Sequence, residues 1–164
     1  MASSMHLIEV RNRQRKWAVD LAISRAAASW AAAEILPERD CELSIQFLAS
    51  SRMAHINHQF LQHEGATDVI TFDLSSEGTQ GMLLGEILIC PEIAYHYSLT
   101  YHTHWFEECM RYLIHGMLHL VGYDDHEPDD RRVMKTQENH WLSHLKKTIP
   151  LPTLPVPSSA RGGE

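Results

Sequence analysis

The chain has 164 residues, 44% of them apolar, which suits one domain with a full-sized core. Its 14 basic and 21 acidic residues leave a net charge of −7 with histidine neutral, which argues against broad, non-specific nucleic-acid binding while leaving room for a local basic groove. No apolar run is long enough to span a bilayer, MASSMHLIEV lacks the features of a secretory signal, and three cysteines (Cys41, Cys90, Cys109) without a CxxC point to reduced, buried thiols and a cytoplasmic address.

Residues 5–10 alternate and predict a short edge strand. The basic run Arg11, Arg13, Arg15 and Lys16 reads as a solvated connection. Residues 16–36 predict an alanine-rich helix, with Trp17, Leu21, Ser24, Ala28, Ala31 and Ile35 on one stripe and Pro37 ending it. Residues 41–49 place Leu43, Ile45 and Phe47 on one face of a half-buried strand. A short helix capped by Ser50 or Ser51 follows, with Met53, Ile56 and Phe60 inside, and then a turn over 62–66.

TDVITFDL (67–74) is β-branched and aromatic, a strand; 75–81 is a flexible loop; 82–90 is a second strand, apolar enough to be central. Gly85 inside it signals a bulge or a close approach of backbone. Pro91 opens a helix to about Leu99. Thr103 is the expected cap of the next helix, whose apolar positions include Phe106, Met110, Leu113, Met117 and Leu120. Pro128 opens the last helix, with Asp129 and Asp130 at its positive end and Met134, Trp141 and Leu145 on its inner stripe. The whole predicts a single α+β domain over residues 1–148: a small mixed sheet of about four strands packed with about five helices. Residues 149–164, IPLPTLPVPSSARGGE, read as a Pro-rich, disordered tail.

The chemistry concentrates in residues 115–126, HGMLHLVGYDDH. His115 and His119 are one helical turn apart, so both imidazoles leave the same face and together suit one divalent ion. Gly122 allows a sharp exit from the helix, and the chain then returns a third donor. Two residues compete for that place. Asp125 and His126 both carry competent zinc donors, and His126 is the favoured one because it completes a three-nitrogen set. Asp124 or Asp125 then becomes an acceptor that orients an imidazole. Three protein ligands leave a position for water, the mark of a catalytic site, and that zinc-bound water is the expected nucleophile, with no side-chain base identified. A peptidase of the HExxH type needs a glutamate after the first histidine, and this chain has Gly116 there.

HGMLHLVGYDDH resembles the HGxLHLxGYDH signature of the YbeY family, bacterial endoribonucleases of ribosomal RNA maturation. INHQFLQHEGATDVITF (56–72) is similar to that family's N-x-x-[FY]-R-x(4–5)-T-[DN]-V-L-[ST]-F block, and LLGEILIC (83–90) to its L-G-[DE]-I-x-I strand. The resemblance implies an α+β fold with one zinc held by three histidines in a cleft. It implies single-strand-specific RNA cleavage, a role in 16S rRNA 3′-end maturation and ribosome quality control, and ribosomal RNA or the small ribosomal subunit as partner.

His115 and His119 match the first two ligands of the family; its third falls one residue earlier than His126, at Asp125. Leu61 stands where the family has an arginine suited to hold a scissile phosphate, and Arg52 is the nearest cation that could replace it. Thr67 and Asp68, at the start of a strand, are expected to line the cleft. Two rival readings accompany this one: a non-cleaving ribosome-assembly factor with a structural metal, and a metal hydrolase of another substrate.

Overall fold

A computed structural model describes residues 3–79 and 81–161. Four strands form one sheet: β1 (His6–Asn12), β2 (Cys41–Phe47), β3 (Val69–Asp73) and β4 (Leu83–Ile89), in the order β1-β2-β4-β3. β1 runs parallel to β2 and β2 to β4, while β3 returns antiparallel beside β4. Among the described residues five α-helices complete the domain: α1 (Leu21–Ile35), α2 (Ser50–Leu61), α3 (Pro91–Tyr101), α4 (Trp105–Leu120) and α5 (Pro128–Thr148). The mixed sheet, the helix count and the α+β class are those expected. No helix among the described residues is long and apolar enough to cross a membrane.

Register follows from alternation. Leu43, Ile45 and Phe47 of β2 stand opposite Gly85, Ile87 and Ile89 of β4, and all face the layer of α1 and α4. Leu88, Ile70 and Cys90 point to the other face, where Met53 and Ile56 of α2 cover them in a smaller cluster. β4 is paired on both sides, which explains its near-continuous apolar run.

Two glycines set α4 against the sheet. Gly85 continues the ladder without a bulge; a Cβ there would come within 2.6 Å of Leu120 Cδ1, so the leucine fills the space that the glycine leaves. Gly116 sits on the sheet-facing side of α4, where a Cβ would lie 2.9 Å from Ile87 Cγ2 and 3.0 Å from Thr71 Oγ1.

Several element boundaries depart from expectation; the helix of Met53 and Ile56 begins at Ser50 with Ala49 before it, and β3 spans only Val69–Asp73. β1 extends to Asn12. The first helix begins at Leu21, not at residue 16, because Asp20 accepts from Ile23 N (2.9 Å) and caps it. The residues before it form a loop held by Gln14, whose side chain bonds both the N–H and the carbonyl of Trp17, and Trp17 packs on Trp105 and Tyr95. α4 is capped by His104 rather than by Thr103, whose hydroxyl donates instead to buried Glu108 (2.8 Å).

The expected disordered tail is the largest difference. From residue 150 to 157 the chain is extended, as its prolines require, and Ser158–Ala160 make one 3-10 turn, yet Leu151, Leu154, Val156 and Ala160 pack on the main core. The Leu154 carbonyl accepts from Trp105 Nε1 (3.3 Å) and lies 2.9 Å from His104 Nε2. An apolar residue every two or three positions gave this segment something to bury despite its lack of regular period. Residues 162–164 lie outside the described residues.

Candidate metal centre

α4 is amphipathic with a broad buried side, and His115 and His119 come at its edge, both half-buried. The helix ends in a Schellman turn. Gly122 takes φ +107°, Tyr123 N donates to Leu118 O (3.0 Å) and Gly122 N to His119 O (3.0 Å). This turn sends the chain back across the histidines.

The three donor atoms form a small triangle. His115 Nε2 and His119 Nε2 are 2.9 Å apart, and Asp125 Oδ2 lies 3.3 Å from the first and 3.4 Å from the second. Donors around one tetrahedral ion at bond lengths near 2.05 Å are separated by about 3.3 Å, so the triangle has the size that such an ion requires.

The far side of each ring is also engaged. His115 Nδ1 is 2.8 Å from Glu138 Oε2, on α5. His119 Nδ1 is 3.0 Å from the Tyr123 carbonyl, within the turn itself. A carbonyl and an ionised carboxylate only accept, so each Nδ1 carries the ring proton. Both Nε2 lone pairs then converge on the Asp125 carboxylate with no hydrogen between them. Three acceptors in one place need a cation or an added proton. The His/Asp cluster is therefore capable of coordinating a metal ion, and the fit rests on the chemistry of its donors.

His115 shows the same demand in its acidity. Burial alone would lower its pKa, but the hydrogen bond and charge of Glu138, with the charges of Asp125 and Asp68, outweigh it and raise the pKa above the ordinary histidine value. Glu138 is held in turn by Arg111, 3.7 Å away, which also lies 3.7 Å from Glu108 and donates to Asn139 (2.7 Å).

The third position corrects the expectation for His126. Its side chain is 84% exposed, and Nε2 turns to Asp124 Oδ1 (3.5 Å) rather than to the two helix histidines. The reason is where the turn spends its residues. Tyr123 is fastened at both its N–H and its carbonyl, so the next residues able to come back over α4 are Asp124 and Asp125. Position 126 already leads into α5, and its carbonyl accepts from Arg131 (2.6 Å). The extra residue of YDDH lies outside the clasp. Asp124 accepts from Asp125 N (2.7 Å), bracing the backbone of the new donor rather than orienting an imidazole.

Other expected residues separate. Asp68 starts β3 by accepting from Val69 N (2.8 Å) and Thr67 Oγ1 (3.1 Å), and its charge reaches His115, so it is both a strand cap and part of the site's field. Thr67 is half-buried beside it. Arg52 is exposed on α2, which covers the opposite face of the sheet from α4, and it makes no ion pair or side-chain hydrogen bond among the described residues. Leu61 is 42% exposed at the end of the same helix. Glu138 and Arg111 were not anticipated. Glu138 lies four residues after Met134 and three before Trp141, so a carboxylate within the inner stripe of α5 was the available signal.

Fold and centre together define an α+β protein whose HxxxH helix and following turn bring together three donors able to hold a metal ion. The model of the family described as "Endoribonuclease YbeY" matches residues 9–146, and the chain belongs to that family. Among curated relatives, the endoribonuclease YbeY of Protochlamydia amoebophila is 36% identical over 107 residues, covering 65% of this chain and 71% of that one. That of Parabacteroides distasonis is 35% identical over 123 residues (74% and 84%), and that of Chlorobium luteolum 32% over 138 residues (84% and 97%). The solution structure of TM1509 from Thermotoga maritima shares the fold, with a TM-score of 0.60 at 22% identity over 87% of this chain and 91% of the other.

Proposed function

We propose that this protein is a zinc-dependent endoribonuclease that cuts single-stranded RNA and acts on ribosomal RNA, in maturation of the 16S 3′ end and in ribosome quality control, in the cytoplasm. The observation that carries this reading is the triangle of His115, His119 and Asp125, with both imidazoles oriented from behind. Membership of the family supplies the substrate class.

A zinc ion, which His115, His119 and Asp125 would hold, would supply a Lewis acid and lower the pKa of a water to about 7. The rest falls to the chain. Glu138 fixes the His115 tautomer and makes its Nε2 a stronger donor; the Tyr123 carbonyl does the same for His119. With Leu61 in the arginine's place, position 61 offers no cationic side chain to a phosphate. Gly116, pressed on Ile87 and Thr71, leaves no room for the glutamate of an HExxH peptidase, so a peptidase reading finds no base there.

The test uses purified protein, a single-stranded RNA and its duplex form. Cleavage of the single strand that stops with a chelator, returns with zinc, and is lost in His115→Ala with the fold intact supports the reading. Cleavage surviving in metal-free protein refutes it. Two observations favour a second reading, an assembly factor that binds RNA without cutting: Leu61 is apolar, and Arg52 makes no bond to the centre among the described residues. In that case metal removal sharply lowers the melting temperature and the purified protein leaves single-stranded RNA whole.

A further inference from the structure

An aromatic surface begins one helical turn from His115. Tyr112, three residues earlier on α4, is buried, and Tyr97 of α3 meets its ring edge-on with centroids 6.5 Å apart. Tyr97 is itself 42% exposed, and Tyr101, one turn further along α3, is 57% exposed. Their two rings are nearly parallel, with 18° between planes and 6.3 Å between centroids. Lys135 of α5 holds its Nζ 5.6 Å from the centre of the Tyr101 ring. The Asp68 charge bears on Tyr97, Tyr112 and His115 alike, so the tyrosines and the histidine share the field of one acid.

We propose that Tyr97 and Tyr101 form a stacking platform for unpaired nucleobases of the RNA strand that enters the His115–His119–Asp125 centre, with Lys135 meeting the backbone of that strand. This rests on the reading of the centre as a ribonuclease site. Two large aromatic rings left half in water and stacked nearly parallel offer what a base needs: a flat apolar surface of its own size. Lys135, whose ammonium lies over the Tyr101 ring, supplies the cation for a phosphate as the base takes up the ring face.

The net charge decides what kind of binding this is. At −7 the protein gains little from displacing counterions off a nucleic acid, so affinity has to come from stacking rather than from a broad electrostatic footprint. Stacking also selects the substrate. In a duplex both faces of each base are covered by neighbours, and only an unpaired base has a face to offer. The platform thereby prefers single strands without reading base edges, and it tolerates sequence because every base has a π-face.

Binding is measured with the metal-stripped full chain, so that cleavage does not intervene, by fluorescence anisotropy of a labelled single-stranded oligoadenylate. Tyr101→Ala and Tyr97→Leu are each expected to weaken binding about tenfold, while Tyr101→Phe stays within about twofold. The dependence of affinity on salt is expected to be shallow, and Lys135→Met to make it shallower. Zinc content of the reloaded variants should equal that of wild type, which separates a lost platform from a lost fold. Tyrosine variants that bind and cut like wild type overturn the platform and leave the ribonuclease reading standing. A wild type that binds duplex as tightly as single strand also overturns the platform. A wild type that neither binds nor cuts the single strand overturns the ribonuclease reading, and the platform with it.

Discussion

Glu138 Oε2 lies 2.8 Å from His115 Nδ1, so a carboxylate on α5 fixes which nitrogen of a ring on α4 faces the donor triangle. The pair ties the last helix to the centre. Glu138→Gln is nearly isosteric and can still face the ring, but it withdraws the charge that makes His115 a strong donor. Metal affinity should fall about ten- to hundredfold, as for other residues that orient a ligand. Competition against a chromophoric chelator measures it, and an unchanged affinity would show that the carboxylate has no part in the centre.

The third donor separates two variants that sequence alone ranks the other way. Asp125→Ala should cost more metal affinity than Glu138→Gln, because a donor itself is lost; His126→Ala should match wild type. Asp125→His should restore binding with three nitrogens. Zinc titration of the three proteins decides the order, and tight binding in Asp125→Ala with loss in His126→Ala would reverse the assignment.

The His115 pKa gives a pH dependence with two opposite signs. In metal-free protein the folded pKa is raised above the unfolded value of about 6.5. Its stabilising contribution is therefore complete below about pH 6.5 and is lost as pH rises through the folded pKa. Metal binding runs the other way, since the same proton competes with the ion and affinity drops as pH falls through that raised value. Melting curves of chelated wild type and His115→Gln across neutral pH check the first sign. The difference between the two proteins should shrink as pH increases.

Gly116→Ala tests how closely α4 presses on the sheet. Alanine favours the helix by about 1 kcal/mol, whereas overpacking costs about 1–3 kcal/mol. The atoms in the way belong to β-branched Ile87 and Thr71 on strands of the sheet, which have little freedom to withdraw. The net expectation is destabilisation, read as a lower denaturant midpoint. Gly116→Glu, the change that would write HExxH, should fail to fold rather than yield a peptidase.

Removing residues 150–164 should lower stability by about 2–4 kcal/mol, because Leu151, Leu154, Val156 and Ala160 leave the core only partly covered without it. Trp105 would lose the Leu154 carbonyl, and its emission should shift to longer wavelength. A truncated protein as stable as the full chain would mean that the segment rests on the core without holding it.

Much of this was legible in the order of residues. Strict alternation in β2 and the 3.6 period of α4 declare buried faces directly, and the i, i+4 spacing of His115 and His119 fixes their common side whatever the tertiary structure. What escaped depends on geometry that no local pattern encodes. The choice of Asp125 over His126 turns on how many residues the Schellman turn consumes. Glu138 joins the centre across 23 positions of sequence, through packing of α5 on α4. The final segment lacks a period because it follows no regular element, so its apolar residues looked unattached until Trp105 and His104 gave its backbone an acceptor role to fill.

The notches at Gly85 and Gly116 divide the centre into a rigid part and an adjustable one. Leu120 seated over one glycine and Ile87 under the other keep α4 from sliding or rolling, so the spacing of the two imidazoles is dictated by the sheet beneath. The remaining donor answers to a turn that touches neither notch. A change of residue at position 125 can therefore exchange imidazole for carboxylate at that corner, and shift the charge the corner carries, while the helix that bears the first two donors stays where it is.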